Sequence, residues 1–421
     1  MKILLVGGGG REHAIAWKIR QNPTVETLWC APGNGGIASL AECVPIAATD
    51  IDGIVRFAKE KRPDLVMVAP DDPLVLGLVD ALEREGIRAF GPHANAAIIE
   101  GSKSFAKKLM QDCNVPTARY AVFTDADAAI AYVKAQGAPI VVKADGLALG
   151  KGVTVAMTED EAIGAIQNAM CDKAFGEAGA RVVIEEYLEG PEVSVLCFTD
   201  GKTISPMPSA QDHKRAYDHD KGPNTGGMGA FSPSRIYTAQ LAERCMNEIF
   251  RPTVDGMARM GRPFRGVLYF GLMITKDGPK VIEYNARFGD PETQAVLPRL
   301  KTDLVEIMNA IIDERLDQIQ IEWTDNAACC VVLASGGYPK SYRKGHEISG
   351  ISDAEAMENV LVFHAGTKLR EGSDTVETAG GRVLGVTGLA KTLDQAIVTA
   401  YQAAEKIHFE DMHKRNDIGV K

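Results

Sequence analysis

The sequence lacks long apolar runs and paired cysteines, and each absence excludes a class of protein. No stretch approaches the ~18 consecutive apolar residues of a membrane span, and the apolar run in MKILLVGGGG is far too short for a signal peptide. The eight cysteines are scattered without any C-x-x-C spacing, which argues against a zinc site or a disulfide framework. We therefore expect a cytoplasmic protein with free thiols.

An excess of positive charge is also absent. Lysine and arginine total 46 against 56 aspartates and glutamates, a formal net charge of −10, so nothing favours a global attraction to nucleic acid or to an anionic membrane. Glycine, by contrast, is abundant, at 42 of 421 residues, where ~7% is usual. The length predicts two to four domains at roughly 150 residues each. Any anionic ligand must therefore be held by local basic groups, and the glycine-rich loops are candidate sites.

The alternation of apolar and amphipathic stretches predicts the fold class. From Lys2 to about Phe90 the sequence reads β-α-β-α-β-α-β, which implies a parallel sheet covered by helices, with ligands outside the carboxyl ends of the strands. A helix and a strand follow Glu100, and from Arg181 onward longer strands joined at TDG and KDG turns predict antiparallel sheet. Beyond Asp325, three strands and a helix predict a small mixed domain.

The glycine-rich turn VGGGGREH lies between the first strand and the first helix, where backbone N–H groups can meet a phosphate. A dinucleotide fingerprint is incomplete here, because its third glycine is absent and the second strand ends in Trp29-Cys30-Ala31 instead of an acid. A tight turn without a ligand is the simpler alternative. We favour a phosphate-bearing substrate at this turn.

A second glycine-rich loop, GLALGKGV at residues 146–153, follows the strand PIVVK. It is one residue short of a Walker A motif, and Gly152 stands where serine or threonine would bind magnesium. Such a loop can nonetheless fold over a triphosphate and carry Lys151 with it, while Lys143 at the strand end holds the α- and β-phosphates. The alternative for Lys143 is a solvated strand end.

The segment KVIEYNARFGDPE carries a sharper signal. A strand period of two puts Glu283, Asn285 and Arg287 on one face, with Tyr284 and Ala286 on the other. Carboxylate and amide oxygens beside a guanidinium suit the edge of a magnesium–phosphate complex. The alternative is a solvated strand face with an in-strand Glu–Arg pair, but asparagine is a poor strand former.

Further segments carry a resemblance that covers the whole chain, namely APGNGG, GPHANAAIIEGSKSFAK, EEYLEGPEVSV, QDHKRAYDHDKGPNTGGMGAFSP and NARFGDPETQ. With the three motifs above, they resemble the ATP-grasp superfamily and, within it, the glycinamide ribonucleotide synthetase family. The resemblance implies a Rossmann-like parallel-sheet domain, a central ATP-grasp region with antiparallel sheets and a small mixed α/β C-terminal domain. The corresponding boundaries are 1–100, 101–325, with 120–190 as a mobile lid, and 326–421.

The same resemblance implies an ATP-dependent ligase that joins glycine to 5-phosphoribosylamine through glycyl phosphate, with Mg²⁺ or Mn²⁺ as the metal. The alternatives are another ATP-grasp ligase or carboxylase of the purine pathway, and a nucleotide-sensing regulatory protein. The DHKR and NTGGMG segments argue against a carboxylase, and matched substrate loops at both ends of the chain argue against a regulator. Small molecules are thus the expected partners, with no nucleic acid or membrane, and transient contact with neighbouring pathway enzymes stays open.

The resemblance also assigns residues to the nucleotide and its metal. Phosphate contacts and the lid over ATP fall to Lys103, Lys143, Gly150, Lys151 and Gly152. The adenine hinge matches Glu185, Glu186 and Leu188, and the ribose hydroxyls match Glu192. The metal ligands match Glu283 and Asn285.

The remaining matches concern the other two substrates. Glycine and the acyl phosphate fall to Asp212, Lys214, Asn224, Thr225, Gly226 and Arg287, and the expected catalytic residues are Arg287, Asp212 and Lys143. Phosphoribosylamine falls to Gly8, Gly9, Gly10, Asn34 and Asp71, with Lys368 and Arg382 as further candidates for its phosphate. At positions 71 and 72 the sequence has two aspartates, where many relatives have the glutamate of Gly-Pro-Glu. The side chain that carries the carboxylate is therefore one methylene shorter.

Overall fold

The computed structural model describes residues 1–147 and 152–420. Of the residues assigned above, Gly150 and Lys151 lie outside the described part of the chain. No helix in the described part is long and apolar enough to cross a membrane. All eight cysteines lie within it as free thiols, five of them buried.

The first sheet is parallel throughout, with the strand order β3-β2-β1-β4-β5. Its strands are β1 (Lys2–Gly7), β2 (Thr27–Pro32), β3 (Glu42–Cys43), β4 (Leu65–Val68) and β5 (Ala89–Phe90). The helices of this part are α1 (Gly10–Ile19), α2 (Ile51–Lys61), α3 (Asp71–Val75), α4 (Leu78–Arg84) and α5 (Ala94–Gly101). Leu4 and Val6 enter one hydrophobic core while Ile3 and Leu5 enter another, because successive side chains of a strand point to opposite faces. Burial on both faces is typical of parallel sheets, and the predicted topology is confirmed, although no sequence signal predicts the edge strand β3.

A second sheet, of order β6-β9-β7-β8, is antiparallel throughout. Its strands are β6 (Tyr120–Phe123), β7 (Ile140–Ala144), β8 (Val153–Ala156) and β9 (Val182–Glu186). The nearby helices are α6 (Lys103–Asp112), α7 (Ala126–Gln136) and α8 (Glu159–Ile166). Val133 of α7 packs with Val142 and Ile184 in a core that belongs to this sheet alone. The sheet falls within the segment 120–190, whose role as a lid stays a prediction, as do the domain boundaries.

The rest of the chain adds two larger sheets and two short hairpins. The strands are β10 (Glu192–Asp200), β11 (Ile204–Pro206), β12 (Gln211–Asp212), β13 (Arg215–Tyr217), β14 (Lys221–Asn224), β15 (Gly229–Ser232), β16 (Arg265–Thr275), β17 (Gly278–Asn285), β18 (Ala327–Ala334), β19 (Val360–His364), β20 (Thr367–Leu369), β21 (Val376–Thr378) and β22 (Arg382–Ala390). The helices are α9 (Ala239–Cys245), α10 (Arg251–Arg259), α11 (Glu292–Val296), α12 (Leu304–Ile312), α13 (Ile351–Glu355) and α14 (Leu393–Ala404).

The first of these sheets has the order β11-β10-β16-β17, with antiparallel neighbours and hairpins at the predicted TDG and KDG turns. The second, β12-β15-β18-β22-β19, is also antiparallel and joins strands from both sides of residue 325. The last hundred residues therefore share a sheet with strands β12 and β15. This shared sheet brings the 211–232 region against the C-terminal strands.

Candidate active site

Lys143 lies in β7 of the second sheet and contacts β17 of the third sheet. Its Nζ donates to the backbone oxygen of Ile282 at 2.9 Å and lies 2.9 Å from Oε1 of Glu185. β17 is the edge strand of its sheet and bulges here, where Gly271 pairs with Glu283 but Leu272 pairs with Val281. A bulge leaves one residue out of the ladder, and Lys143 binds the oxygen of that residue.

Glu185 lies buried between two lysines. Its Oε2 is 3.1 Å from Nζ of Lys107, which also donates to Oγ1 of Thr117 at 2.8 Å. Burial lowers the pKa of Lys107 to about 8, with Lys143 adding to the effect and Glu185 opposing it. Lys107 is not among the residues predicted from the sequence. The available signal was its spacing of four residues from Lys103, which places both lysines on one face of α6.

Lys103 approaches the same place from the first turn of α6. Its Nζ donates to the backbone oxygen of Gly146 at 2.9 Å. Asp145 holds this end of the helix, because its carboxylate accepts hydrogen bonds from the backbone N–H and the hydroxyl of Ser104. Burial, and then the neighbouring ammonium of Lys143, lower the pKa of Lys103. Two cations are thus held side by side where the glycine-rich loop begins, an arrangement suited to a polyanion.

Glu283 pairs with Lys214. Lys214 Nζ lies 3.2 Å from its Oε1 and 2.8 Å from Oε2 of Glu192. Lys214, with smaller effects of Lys143 and Lys103, lowers the pKa of Glu283 to about 2. Although burial opposes the charge, Glu192 and Glu283 raise the pKa of Lys214 well above its usual value. Both groups are therefore ionised at neutral pH.

Arg287 lies just past the end of β17 and gathers three oxygen-bearing side chains. Its Nη2 is 2.9 Å from Oε1 of Glu100 and 3.9 Å from Oδ2 of Asp71, and it donates to Oδ1 of Asn285 at 3.3 Å. Tyr284 points the opposite way and is buried, so the predicted division of the two strand faces is confirmed. The carboxylate of Asp71, though short, faces the site.

Glu100 is a second residue that the sequence analysis missed. It lies near the end of α5, is buried, and accepts a hydrogen bond from the N–H of Ala286 at 2.6 Å. Burial raises the pKa of Glu100 to about 7 even though Arg287 opposes that shift. The residue precedes the matched SKSF segment, but nothing in its own helix indicates that it faces a strand almost two hundred positions later.

Asp212 carries an unsatisfied oxygen. Its Oδ1 is buried and has no hydrogen-bond partner among the described residues. Burial, and then the nearby carboxylate of Glu292, raise the pKa of Asp212 well above its usual value. Glu292 accepts hydrogen bonds from the hydroxyls of Tyr269 and Ser194, at 2.9 and 3.2 Å. Buried polar atoms are rarely left alone in proteins, so a ligand with a hydrogen-bond donor fits here.

The loop 224–229 is fixed beside Asp212. Thr225 donates from its N–H and its hydroxyl to the backbone oxygen of Lys214, at 2.7 and 2.8 Å. Gly227 has φ +110°, and a Cβ there would lie 2.6 Å from Asp212 Oδ1, so only glycine allows this close approach. The backbone oxygen of Gly226 accepts a hydrogen bond from Arg382 at 2.6 Å. Thr225 is thereby held against Lys214, and Gly227 against Asp212, while the assignment of Asn224, Thr225 and Gly226 to a substrate stays a prediction.

The glycine-rich turn at residues 7–10 is occupied by carboxylates of the protein itself. Gly9 N–H donates to Oε2 of Glu12 at 2.6 Å, and the N–H of Arg11 reaches Oδ2 of Asp290 at 3.4 Å. A Cβ on Gly10 would lie 2.5 Å from Nε2 of Gln294. These two N–H groups of the turn therefore already bind protein carboxylates, and its contact with a phosphate stays a prediction.

The side-chain amide of Asn34 links neighbouring loops by hydrogen bonds to their backbone. Its Nδ2 donates to the backbone oxygens of Gly8 and His364, at 3.0 and 2.8 Å, and its Oδ1 accepts from the N–H groups of Gly36 and Ile37. Both donor and acceptor sides of the amide are thus used within the protein. A direct contact between Asn34 and substrate stays a prediction, and the contacts described are structural.

The two candidate cations for the sugar phosphate lie in different places. Arg382 Nη1 is 3.3 Å from Oδ1 of Asp290, next to the Gly9 turn. Lys368 lies on the hairpin β20–β21, where its Nζ is 3.6 Å from Oε2 of Glu377 and its side chain is 59% exposed. Arg382 therefore belongs to the group of charged side chains around Asp212 and Asp290, here called the cluster. Lys368 pairs with Glu377 instead.

The donor atoms suit a hard cation. Within the described residues no group of three or more histidine, cysteine, aspartate or glutamate side chains could hold a metal. The ionised carboxylate of Glu283 and the amide oxygen of Asn285 provide two oxygen ligands on one face of β17. Mg²⁺ commonly uses one or two protein oxygens and completes its shell with phosphates and water. The pair fits such an ion.

The antiparallel sheets bridged by Lys143, and the Glu283–Asn285 strand end, define an ATP-grasp protein. Models of the phosphoribosylglycinamide synthetase family match the chain in three parts, the N domain at 1–100, the ATP-grasp (A) domain at 101–293 and the C domain at 328–421. The chain belongs to this family.

Curated relatives and solved structures agree with this assignment. The phosphoribosylamine–glycine ligases of Vibrio vulnificus strain CMCP6 and of Brucella melitensis are 54% and 52% identical to the chain, over all of it and over 98% and 97% of the relatives. The crystal structure of phosphoribosylamine–glycine ligase from Thermotoga maritima is 32% identical, with a TM-score of 0.86 and full coverage of both chains. N5-carboxyaminoimidazole ribonucleotide synthetase from the same organism, at 17% identity and a TM-score of 0.64 over 97% of this chain and 99% of that one, shares the fold.

Proposed function

We propose that this chain joins glycine to 5-phosphoribosylamine, converting ATP to ADP and phosphate and forming glycinamide ribonucleotide. Membership of the family makes the chain an ATP-dependent ligase of purine biosynthesis. The observation that carries the proposal is the set of three lysines at this place: Lys214 lies 3.2 Å from Glu283, Lys143 binds the preceding carbonyl of Ile282, and Lys103 binds the carbonyl of Gly146. Arg287 and Asp212 lie beside them. Cations in this number suit a triphosphate, and Arg287 and Asp212 suit the two ends of an amino acid.

The nucleotide is proposed to lie between the second and third sheets. Lys143 and Lys103 would bind the phosphates, Glu185 to Leu188 the adenine, and Glu192 the ribose. The family uses ATP with a divalent cation, and we assign Mg²⁺, held by Glu283 and Asn285. When bound, the ion would neutralise negative charge on the phosphate that is transferred.

In the first step a carboxylate oxygen of glycine attacks the γ-phosphorus, the bond to the oxygen that leaves with ADP breaks, and glycyl phosphate forms. Arg287 is proposed to bind the glycine carboxylate, because a guanidinium pairs well with that group. The unsatisfied Oδ1 of Asp212 is proposed to accept a hydrogen bond from the glycine ammonium. Positioning and charge neutralisation supply most of the rate in such transfers, so no protein nucleophile is needed.

In the second step the amine nitrogen of phosphoribosylamine attacks the carbonyl carbon of glycyl phosphate. The carbon–oxygen bond to the phosphate breaks, and the nitrogen gives up one proton, which the departing phosphate takes. We propose that the acceptor approaches from the Gly9 turn, where Asp290 and Arg382 of the cluster lie. Excluding water protects the acyl phosphate, and the segment 120–190 is the proposed cover.

Lys143 has two alternative partners in the proposed reaction, the carboxylate of Glu185 and the phosphates of ATP. Lys143 lies 2.9 Å from Glu185 in the structure, and we propose that bound phosphates draw its ammonium away from that carboxylate. Lys107 then remains as the counter-ion of the buried carboxylate. We therefore propose that Lys107 lets Lys143 leave Glu185 without leaving an unpaired buried charge, which would be costly.

Replacing Lys107 with methionine should raise the KM for ATP about tenfold, because Glu185 would then hold Lys143 as its only cation. Steady-state kinetics with ATP as the varied substrate measure the effect. Lys108→Met is the matched control, since Lys108 is the exposed neighbour and pairs with Asp112. An unchanged KM for ATP in a folded Lys107→Met variant would show that Lys143 does not depend on Lys107.

The direct test of the proposed function couples ADP release to amino acid and acceptor. We expect continued turnover to ADP only when glycine and freshly made phosphoribosylamine are both present, and we expect no ADP when bicarbonate replaces glycine. Mass spectrometry of the product should show glycinamide ribonucleotide. ADP formation that does not require glycine, or that proceeds equally with bicarbonate, would overturn the assignment in favour of another ATP-grasp activity.

A further inference from the structure

The segment 413–419, here called the strap, lies across the hairpin β13–β14 at residues 215–224. Arg415 is its central residue and its side chain is 0% exposed. Its Nη1 donates to the backbone oxygen of Arg215 at 3.1 Å and to Oδ1 of Asp220 at 3.0 Å. The rest of the guanidinium binds Asp417 of the strap at 2.7 and 2.8 Å. A fully buried arginine that uses its fork on two segments fixes one against the other.

The neighbours of Arg415 repeat this contact along the hairpin. Asn416 donates from its N–H and from Nδ2 to the carboxylate of Asp218, at 2.7 and 3.0 Å. Asp417 accepts a hydrogen bond from the N–H of His219 at 2.8 Å. Nε2 of His413 lies 2.7 Å from the backbone oxygen of Ala216. The hairpin is therefore held at several consecutive residues.

The strap is itself fixed to the C-terminal sheet. His413 exchanges two backbone hydrogen bonds with Ala334 at the end of β18, at 2.7 and 2.8 Å. The N–H of Ile418 donates to the hydroxyl of Tyr401 on α14 at 2.9 Å. The hairpin is thus held against a sheet that is covered by buried side chains, rather than against another loop.

The two ends of the hairpin are residues of the candidate active site. Lys214, which bridges Glu192 and Glu283, directly precedes β13, and Asn224 ends β14. The loop that follows binds back to Lys214 through Thr225. Any movement of the hairpin is transmitted to Lys214 and to the loop beside Asp212.

We propose that Arg415 is a positioning residue of the ligase, acting through the hairpin 215–224 to hold Lys214 and the 224–229 loop in place for glycine. Among the residues that the structure describes, it contacts none of those assigned to a substrate. The proposal deepens the proposed function and rests on it, because glycine is the substrate assigned to that loop.

The test uses the full chain with the changes Arg415→Met and Asn416→Ala. We expect Arg415→Met to raise the KM for glycine about tenfold, and Asn416→Ala to raise it two- to fivefold, with the KM for ATP within about twofold of wild type. Arg415→Lys keeps the charge but loses the fork, so it should recover only part of the effect. Arg244→Met is the control, because Arg244 also binds a carboxylate and a hairpin carbonyl, those of Glu248 and Asp277.

Hydrogen exchange gives a readout that does not depend on activity. Amide exchange in residues 213–229 should become at least about tenfold faster in Arg415→Met and detectably faster in Asn416→Ala. If Arg415→Met does not fold, Asn416→Ala still decides, since Asn416 is exposed. Wild-type exchange and wild-type KM for glycine in a folded variant would overturn the proposal, as would equal rises in both KM values. Absence of glycine-dependent ADP release in the wild type would instead overturn the proposed function.

Discussion

Glu283→Gln should lower kcat by at least about a hundredfold and raise the concentration of Mg²⁺ needed for half-maximal rate. Glutamine keeps the shape of the side chain but removes the charge that pairs with Lys214 and that Lys143 and Lys103 help to stabilise. Removing one electrostatic contact to a transition state typically lowers kcat about a hundred- to a thousandfold, and about 2.7 kcal/mol corresponds to a hundredfold in rate. The amide also provides a weaker ligand for the cation than a carboxylate does.

The measurement is kcat as a function of free Mg²⁺ at saturating ATP, glycine and phosphoribosylamine. Glu322→Gln is the matched control, because Glu322 also pairs with a lysine, Lys301 at 3.0 Å, but at an exposed position. Exposed pairs contribute about 0–1 kcal/mol, so that variant should behave as wild type. Wild-type turnover with an unchanged Mg²⁺ requirement in Glu283→Gln would remove Glu283 from the metal site.

The strand face that carries Glu283 and Asn285 was predictable because strand periodicity is a local property. The bulge at Ile282 was not, since it depends on the register between β17 and β16. Lys143 binds the carbonyl of the residue that the bulge leaves out of the ladder. Sequence pattern thus located the residues, and pairing with a distant strand decides how they meet.

Buried charges were the least predictable part of the site. The spacing of Lys107 from Lys103 indicates a shared helix face but not burial, and nothing in the helix of Glu100 indicates burial either. The partners of both residues are far away in sequence. Asn34 is the opposite case. Its place in a glycine-rich loop suggested contact with a ligand, whereas in the structure its amide binds backbone groups of the protein. Likewise, only the tertiary fold shows that β15 and β18 share a sheet.

Arg287→Lys should lower kcat/KM for glycine by about a hundred- to a thousandfold. Lysine keeps the charge but lacks the planar fork that pairs with a carboxylate substrate. Because its side chain is shorter, it would also lose the contact with Glu100 or the one with Asn285. Initial rates with varied glycine measure the loss. Arg299→Lys is the control, since Arg299 is also buried but binds backbone oxygens and Ser232 away from the cluster; it should lower stability without changing the KM for glycine.

A second readout separates the charge of Arg287 from its contact with substrate. The pKa of Glu100 is about 7 in the folded protein against 4.5 ordinarily, so the native state binds the extra proton between these values and stability falls as pH rises through that window. Arg287→Met removes the guanidinium that lowers this pKa, which extends the window above pH 7. We therefore expect the free energy of unfolding to fall more between pH 6 and pH 8 in Arg287→Met than in the wild type. Urea titrations at these two pH values, on either side of the pKa of about 7, measure the difference. Adding Glu100→Gln should abolish the difference, and an equal loss in the single and double variants would mean that Glu100 is not the titrating group.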